Sequence, residues 1–301
     1  MQTHLPDTEI PTSLAESVLE RLGFATWPAT DRAGLDALYG AWCRRVPFDN
    51  TRKRIAVEEG DPGPLPGDDP AGFLEAWLAD GSGGTCWAIH GAWTEMLRAC
   101  GFRARRGLAT MMVAPDLPPN HGTTSVELEG ATLLVDVCIQ HGEPLVLDPE
   151  RETAIAHPAW GVTARPHGGR TIVRWRSPFV TGGMDCRVES LASDAATFRT
   201  HHEATRGWSP FNFELFARTH RRGGLVLAVR GERVDVDADG HEKRSPLLPE
   251  DHVRFLVEEI GLREEFARRV PRDRPTPPPP GSATARAASG QTGNVPRSKS
   301  R

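Results

Sequence analysis

Residues 81–101 read GSGGTCWAIHGAWTEMLRACG and place a cysteine where a glycine-rich loop becomes a helix. Apolar residues recur on one side of this stretch at helical spacing, and Gly101 is suited to end the helix. Backbone N–H groups at a helix start lack intrahelical partners and carry the positive end of the helix dipole. They favour a thiolate at Cys86 and can bind the oxyanion of a tetrahedral intermediate. Alone, Cys86 also fits a small buried residue at a helix start.

Three further helices are predicted before this stretch. Ser13 and Glu16 have the spacing of a capping box, and Gly23 is suited to end the first helix. The second helix is predicted to begin near Asp31, and Asp69-Pro70 is a favourable cap and first turn for the third. The first third of the chain is therefore expected to be helical.

After residue 101 the pattern changes to short β-prone runs broken by glycine and proline. Residues 125–128 and 131–137 flank Glu129-Gly130 and predict a β-hairpin. Nearer the C-terminus we predict a second hairpin (Leu225–Val229 and Val234–Val236) and a last helix (Glu250 to Ala267, bent at Gly261).

From Pro271 the composition changes to proline, glycine, serine, threonine, alanine and arginine, including the run Pro277–Pro280. Such a segment cannot bury enough apolar surface to offset the entropy of ordering it. We therefore predict a disordered tail, with a proline-rich docking peptide as the alternative.

Charge and composition argue against several classes of partner. The net charge is −4, the pI is about 6.3 and no long block of like charge occurs, which disfavours nucleic acid as the main partner. No apolar run approaches the roughly 20 residues that span a bilayer, and Met1–Ile10 lacks the pattern of a secretory signal. The cysteines are odd in number and scattered, which fits a reducing compartment. We therefore expect a cytoplasmic protein with no membrane partner.

A nucleophilic thiol needs a base that reaches the sulfur and an acid that orients the imidazole. His121 opens the first strand of the predicted hairpin, and Asp136 lies near the end of the second, so both stand at the open end. Asp136 is flanked by apolar residues, where a buried carboxylate is costly unless a partner pairs with it. We therefore predict that Cys86, His121 and Asp136 form a catalytic triad.

Other residues are weaker candidates. His90 lies one turn after Cys86 on the same helix face and is either a competing base or a structural histidine. Cys138 and His141 have metal-like spacing, but no second ligand pair follows, so no metal site is predicted. His201-His202-Glu203 is interpreted as a solvated helix segment. The glycine loop lacks the Lys-Ser/Thr pair that a phosphate-binding loop needs.

Three segments, in order, resemble the arylamine N-acetyltransferases. Val46–Asn50 (VPFDN) resembles the V-P-F-E-N segment of that family, and Gly83–Cys86 resembles its R-G-G-x-C loop. His121 and Leu134–Val137 resemble its H…(L/V)-D-V-G-F-G stretch, and the intervals of 35 and 15 residues between the cysteine, histidine and aspartate are close to the family pattern.

Ser209–Phe211 and Gly224–Val229 extend the likeness, which covers about residues 10 to 268 in order. The resemblance implies an α+β fold with a cysteine-proteinase-like core. Its expected parts are an N-terminal helical bundle with the nucleophile (1–103), a central β-barrel with the histidine and aspartate (104–205), a C-terminal α/β lid (206–270) and the disordered tail (271–301).

The resemblance also implies ping-pong acetyl transfer. Cys86 would take the acetyl group of acetyl-CoA as a thioester, with His121 as base and then acid and Asp136 as its orienter. An arylamine, hydrazine or N-hydroxyarylamine would then accept the acetyl group. Acetyl-CoA is thus expected as a co-substrate, and no tightly bound cofactor or metal is implied.

The sequence departs from the family pattern at several positions. Ser82 replaces an arginine, so Asp49 is expected to need another cation, for which Arg52 and Lys53 are candidates. These changes leave two alternatives open: an amide synthase-like acyltransferase with another acyl donor, and a non-catalytic ligand-binding descendant. The other departures are Ala88 (usually Glu or Gln), His90 (usually Asn) and Cys138-Ile139-Gln140 (usually Gly-Phe-Gly).

Overall fold

A computed structural model describes residues 10–113, 118–139, 142–177, 182–221 and 223–278 of the 301-residue chain. The expectations for residues 1–9, for the metal-like spacing at His141 and for the tail beyond residue 278 lie outside the described residues.

The N-terminal part of the chain is helical, as predicted. Asp31 and Asp69 cap their helices by accepting backbone N–H groups, and Gly23 ends the first helix with a left-handed φ of 94°. The largest apolar core lies among these helices and includes the tilted pair Trp42 and Trp93, with ring centroids 4.7 Å apart. The elements are α1 (Thr12–Leu22), α2 (Arg32–Arg45), β1 (Phe48–Asp49), α3 (Thr51–Glu58), α4 (Pro70–Asp80) and α5 (Cys86–Ala99).

The predicted capping box at the start of α1 is wrong. The helix begins at Thr12, Pro11 occupies the cap position, and no side chain caps the helix. The carbonyl of Pro11 accepts the N–H groups of Leu14 and Ala15 instead. Ser13 therefore lies inside the first turn, where its side chain does not cap the helix.

An eight-stranded antiparallel sheet follows and curls almost into a barrel. Its strand order is β5-β4-β3-β2-β9-β8-β7-β6. The two edge strands, β5 and β6, are close to each other, since the Thr153 hydroxyl on β6 donates a hydrogen bond to the Val146 carbonyl on β5. The elements are β2 (Arg103–Met111), β3 (His121–Leu128), β4 (Ala131–Leu134), β5 (Leu145–Val146), β6 (Thr153–Ile155), β7 (Val162–His167), β8 (Arg170–Trp175), β9 (Met184–Ser193) and then α6 (Ala195–Glu203).

The hairpin predicted around Glu129-Gly130 is present as β3 and β4. Glu129 and Gly130 have φ of 52° and 81°, the two positive values of a type I′ turn. β4 ends at Leu134, earlier than predicted. Beyond it, the carbonyls of Val135 and Asp136 accept hydrogen bonds from Trp93 and Tyr39, so the backbone turns from the sheet toward the helices.

The C-terminal part forms a five-stranded sheet of order β1-β10-β11-β12-β13. The first of these strands, only two residues long, comes from the N-terminal third of the chain. The last helical segment turns at Gly261 (φ 91°), as predicted. The elements are β10 (Phe216–Arg221), β11 (Gly224–Val229), β12 (Glu232–Val236), β13 (Glu242–Pro246), α7 (His252–Phe255), a π-helical turn (Leu256–Ile260) and α8 (Glu264–Ala267).

The disorder predicted from Pro271 does not apply to the first residues of the tail. The fully buried guanidinium of Arg54 donates to the Pro271 carbonyl at 2.7 Å and lies 2.9 Å from the Asp273 carboxylate. Asp273 also accepts the N–H of Leu215 at 3.0 Å. Composition predicts disorder here because the segment has almost no apolar surface to bury. It does not reveal that a buried arginine elsewhere in the chain can hold the segment through an ion pair and a hydrogen bond.

Among the helices in the described ranges, none has the length and apolar character needed to cross a lipid bilayer.

Candidate active site

Cys86 is the first residue of α5 and is 8% exposed. Thr85 occupies the cap position, but its side chain caps no N–H group. The backbone N–H groups of the first helical turn are therefore available at the sulfur, as the sequence predicted. Little of the Cys86 residue is therefore in contact with solvent.

The loop before Cys86 is held by Asp49. This carboxylate is fully buried and accepts the N–H of Gly83 at 2.6 Å, together with the N–H and hydroxyl of Thr51. A side chain at Gly83 would stand 1.8 Å from the carbonyl oxygen of Pro47, so only glycine fits. Burial raises the pKa of Asp49, and these hydrogen bonds oppose the rise.

The expectation that Asp49 pairs with Arg52 or Lys53 is wrong. Within the described ranges the carboxylate makes no ion pair, and its hydrogen bonds come from backbone and hydroxyl groups. Lys53 instead donates to Thr205 at 2.6 Å, and burial lowers its pKa to about 8. Ser82, where the family has arginine, bonds to Asp80.

His121 lies at the start of β3 with its ring between a thiol and a carboxylate. Its Nε2 atom is 2.7 Å from Oδ2 of Asp136, and the Cys86 thiol is near enough to the ring to raise its pKa. Because Nε2 is used for Asp136, Nδ1 is the ring nitrogen left to interact with the sulfur. The structure thus brings together the three residues that the sequence grouped.

Asp136 is 1% exposed and receives four N–H groups. Two come from the backbone of Cys138 and Ile139 and reach Oδ1 at 2.9 and 3.1 Å. The other two come from imidazoles, with His121 on Oδ2 and His90 on Oδ1. A carboxylate with this many donors is strongly favoured in its ionised form.

The second imidazole, His90, is the position where the family usually has asparagine. Its Nε2 lies 3.0 Å from Oδ1 of Asp136, and its Nδ1 lies 2.8 Å from the hydroxyl of Thr124. The ring therefore donates from Nε2 to the carboxylate and accepts at Nδ1 from the hydroxyl. Of the two readings left open for His90, this geometry favours a hydrogen-bonded histidine that supports Asp136 over a competing base.

Burial and charge set the protonation states of this cluster. Burial opposes the charge on His121, but the charge of Asp136 and the hydrogen bonds to Asp136 and Cys86 outweigh it and raise the pKa of His121 to about 10. Burial would raise the pKa of Asp136, but the two imidazoles hold it well below its usual range. Burial lowers the pKa of His90. The cluster therefore holds an imidazolium–carboxylate pair beside a neutral imidazole.

The remaining cysteines differ from Cys86 in their surroundings. All are buried and unpaired, and burial raises the pKa of each thiol, to about 12 for Cys43 and Cys100. For Cys138 and Cys186 burial, helped by nearby negative charge, raises it further. Cys138 has its sulfur within 4.8 Å of ligand atoms of His90 and Asp136, but those two already bond to each other.

The interpretation of residues 201–203 as a solvated helix segment is wrong. His202 is 2% exposed, and burial and the charge of Lys53 hold its pKa well below its usual value. The ring of His201 stacks on that of Trp87, the residue that follows Cys86, with ring centroids 5.2 Å apart. Glu203 accepts the N–H of Leu65 at 2.6 Å. This polar stretch carries no hydrophobic pattern that would have revealed its burial.

Comparison with known proteins shows what the chain resembles. No protein-family model matches the sequence, and no curated protein matches it. Among solved structures, the arylamine N-acetyltransferase from Mycobacterium abscessus has a TM-score of 0.73 at 15% identity, covering 85% of this chain and 93% of that chain. The enzyme from Salmonella typhimurium has a TM-score of 0.71 at 19% identity, covering 86% and 97%.

The arylamine N-acetyltransferase from Mycobacterium marinum, solved in complex with CoA, is similar as well. Its TM-score is 0.70 at 17% identity, covering 85% of this chain and 98% of that chain. These comparisons confirm the resemblance and the α+β class at the level of the fold. The chain has the fold of the arylamine N-acetyltransferases.

Proposed function

We propose that the chain is a cysteine-dependent N-acyltransferase. It would move an acetyl group from acetyl-CoA to an arylamine, hydrazine or N-hydroxyarylamine by a ping-pong reaction. The observation that carries this proposal is the hydrogen bond of His121 to Asp136 at 2.7 Å, with Cys86 near enough to raise the pKa of His121, at a helix start within this fold.

In the first half-reaction His121 holds the proton of the Cys86 thiol, and Asp136 stabilises the resulting imidazolium. The thiolate attacks the carbonyl carbon of acetyl-CoA, and N–H groups at the start of α5 stabilise the oxyanion. The bond from carbon to the CoA sulfur then breaks. His121 gives its proton to the leaving thiolate, so that CoA departs as a thiol and Cys86 is acetylated.

In the second half-reaction the amine attacks the thioester carbonyl. His121, now neutral, takes the proton that the amine loses, and the bond from carbon to Cys86 breaks. The products are the amide and the resting imidazolium–thiolate pair. Acyl-CoA as donor is supported by the similar fold of the Mycobacterium marinum protein solved with CoA. A thiol nucleophile and unpaired cysteines suit a reducing cytoplasm.

The deciding experiment is to incubate the protein with acetyl-CoA, without an acceptor, and to record its intact mass beside Cys86→Ala. One acetyl adduct on the wild type and none on Cys86→Ala is the expected result. An adduct equal on both proteins would overturn the assignment of Cys86. If Cys86 alkylates rapidly but gains no acetyl group, acetyl-CoA is excluded and another acyl donor is required. A Cys86 inert to both reagents would favour a non-catalytic protein.

A further inference from the structure

Arg218 lies two strands away from the loop that carries the candidate nucleophile. In the pairing of β1 with β10, Arg218 stands opposite Phe48. On its other edge, Phe48 forms a bridge to Gly84, two residues before Cys86. Because neighbouring strands are spaced about 4.8 Å apart, the backbones of Arg218 and Gly84 are separated by roughly 10 Å.

The guanidinium of Arg218 is buried without a polar partner. The residue is 6% exposed, and within the described ranges its side chain forms no hydrogen bond or ion pair, with Nε fully enclosed. Its contacts are aromatic: the guanidinium carbon lies 5.6 Å from the ring centroid of Phe48 and 5.9 Å from that of Trp175. These rings flank the cation and leave its N–H donors unused.

The carboxylate of Asp136 does not neutralise Arg218. Asp136 lies close enough to act on it electrostatically, as do Cys138, Cys43 and Tyr39. The oxygens of Asp136, however, are already occupied by two imidazoles and two backbone N–H groups. The charge of Asp136 is therefore balanced by the imidazolium of His121, and Arg218 adds a further positive charge near the site.

Other buried arginines of the same chain have carboxylate partners. Arg54 contacts Asp273, and Arg106 contacts Glu95 at 2.8 Å. An unpaired buried cation is costly, and proteins keep such groups where a ligand completes them. A guanidinium presents a planar fork of donors that matches a carboxylate with two parallel hydrogen bonds. The missing partner of Arg218 is therefore best supplied by an anionic ligand.

We propose that Arg218 binds the carboxylate of a substrate whose reacting group lies at Cys86. This inference rests on the proposed function and narrows it to a substrate with an anionic end. The carboxylate belongs either to the acyl group of the donor or to the amine acceptor. Phe48 and Trp175 would offer apolar contacts to the part of the substrate next to this carboxylate, because both rings flank the guanidinium.

Matched substrates distinguish the two sources. For the donor, the rate of Cys86 acylation by succinyl-CoA is compared with that by butyryl-CoA, which carries a methyl group in place of the carboxylate. For the acceptor, the rate of deacylation of the preformed acetyl-enzyme by 4-aminobenzoate is compared with that by 4-aminobenzamide. We expect the carboxylate to be preferred about 10- to 100-fold in one of the two pairs, the factor typical of hydrogen bonds to a charged group.

The variants Arg218→Met and Arg218→Lys identify the residue responsible. Arg218→Met should remove the preference by slowing the carboxylate substrate more than its matched neutral partner, so that the ratio of the two rates falls toward one. Arg218→Lys should retain part of the preference, because it keeps the charge but not the fork. A preference that persists in Arg218→Met overturns the proposal.

Two further readouts separate this proposal from the proposed function. If acetyl-CoA acylates Cys86 but the wild type prefers the carboxylate in neither pair, the inference about Arg218 is wrong and the acyltransferase proposal stands. If no thioester acylates the protein, calorimetry of Cys86→Ala with 4-aminobenzoate and 4-aminobenzamide decides. Tighter binding of the carboxylate, lost when Arg218→Met is added, supports the anion site without turnover, and equal binding of the two overturns it.

Discussion

The Nε2 atom of His90 lies 3.0 Å from Oδ1 of Asp136, on the oxygen that His121 does not use. The carboxylate is thus fixed from both sides by imidazoles of different charge. His90 is neutral because burial lowers its pKa, and His121 is protonated. His90 therefore acts on the proposed reaction through the position of Asp136.

His90→Asn and His90→Leu test this role as a pair. Asparagine can still donate to Asp136 and should keep kcat within about tenfold of wild type, whereas leucine removes one donor from a buried carboxylate, a cost of about 1–3 kcal/mol. With leucine we expect kcat to fall and its pH profile to shift, with KM for the acyl donor nearly unchanged. Equal kcat and pH profiles for the two variants would contradict a positioning role.

Asp136→Asn should abolish the imidazolium. Without the carboxylate charge, burial lowers the pKa of His121 and only the smaller effect of Cys86 opposes it. By analogy with the equivalent change in a Ser-His-Asp triad, kcat should fall by about 10⁴-fold. The rate of acetyl-adduct formation measures this loss, with circular dichroism as the control for folding. Acylation within tenfold of wild type would remove Asp136 from the mechanism.

The stability that His121 contributes should depend on pH. Its pKa is raised in the folded state to about 10, from roughly 6.5 in an unfolded chain. A raised pKa means that the contribution is complete below pH ~6.5 and is lost as the pH rises through about 10. The difference in free energy of unfolding between wild type and His121→Gln should therefore shrink between pH 6.5 and 10, as measured by urea denaturation. A constant difference would show that the imidazolium does not stabilise the fold.

Alkylation of the native protein should be confined to one thiol. The other four cysteines are buried and have raised pKa values, so iodoacetamide at neutral pH should add one group, at Cys86. Intact mass gives the stoichiometry, and Cys86→Ala should remain unmodified over the same period. Modification of Cys138 at a similar rate would contradict its burial.

The contact of the tail with Arg54 should contribute to stability. Asp273→Ala leaves a fully buried guanidinium without its carboxylate, which should cost about 3 kcal/mol or more. Arg269→Ala, which removes an exposed ion pair with Glu59 3.0 Å long, is the matched control and should cost less than about 1 kcal/mol. Urea denaturation measures both. Equal effects would show that the tail contact is only a surface feature.

The elements predicted well from sequence depend on neighbouring residues. The caps at Asp31 and Asp69 and the turn at Glu129-Gly130 are decided within three or four positions, so the pattern is sufficient. The end of β4 was missed because its cause is distant. The indole N–H of Trp93, on a helix 42 residues away in sequence, donates a hydrogen bond to the carbonyl of Val135, the residue after the end of β4.

The candidate site shows the same division. Cys86, His121 and Asp136 can be grouped from sequence because a helix start and a hairpin are local features, and their role as a triad stays a prediction. The sequence suggests a cation as the partner of Asp49, whereas the backbone N–H of Gly83, 34 residues away, donates a hydrogen bond to it. Arg218 escaped notice altogether, since only the assembled sheet shows that this arginine is buried.

The short strand β1 also sets the order in which the site can be completed. The side chain of Asn50, which follows β1, accepts the N–H of Phe216 on β10 at 3.0 Å, across 166 residues of sequence. Since β1 also bridges to Gly84 in the loop before Cys86, that loop is joined through β1 to a strand that is synthesised much later. The thiol, imidazole and carboxylate leave the ribosome before Arg221 does. At about 5–20 residues per second, the last of them precedes the end of β10 by roughly 4 to 17 s. The nascent chain thus carries its nucleophile before the strand that supports the neighbouring segment has been made, so the site can be completed only after β10 has been synthesised.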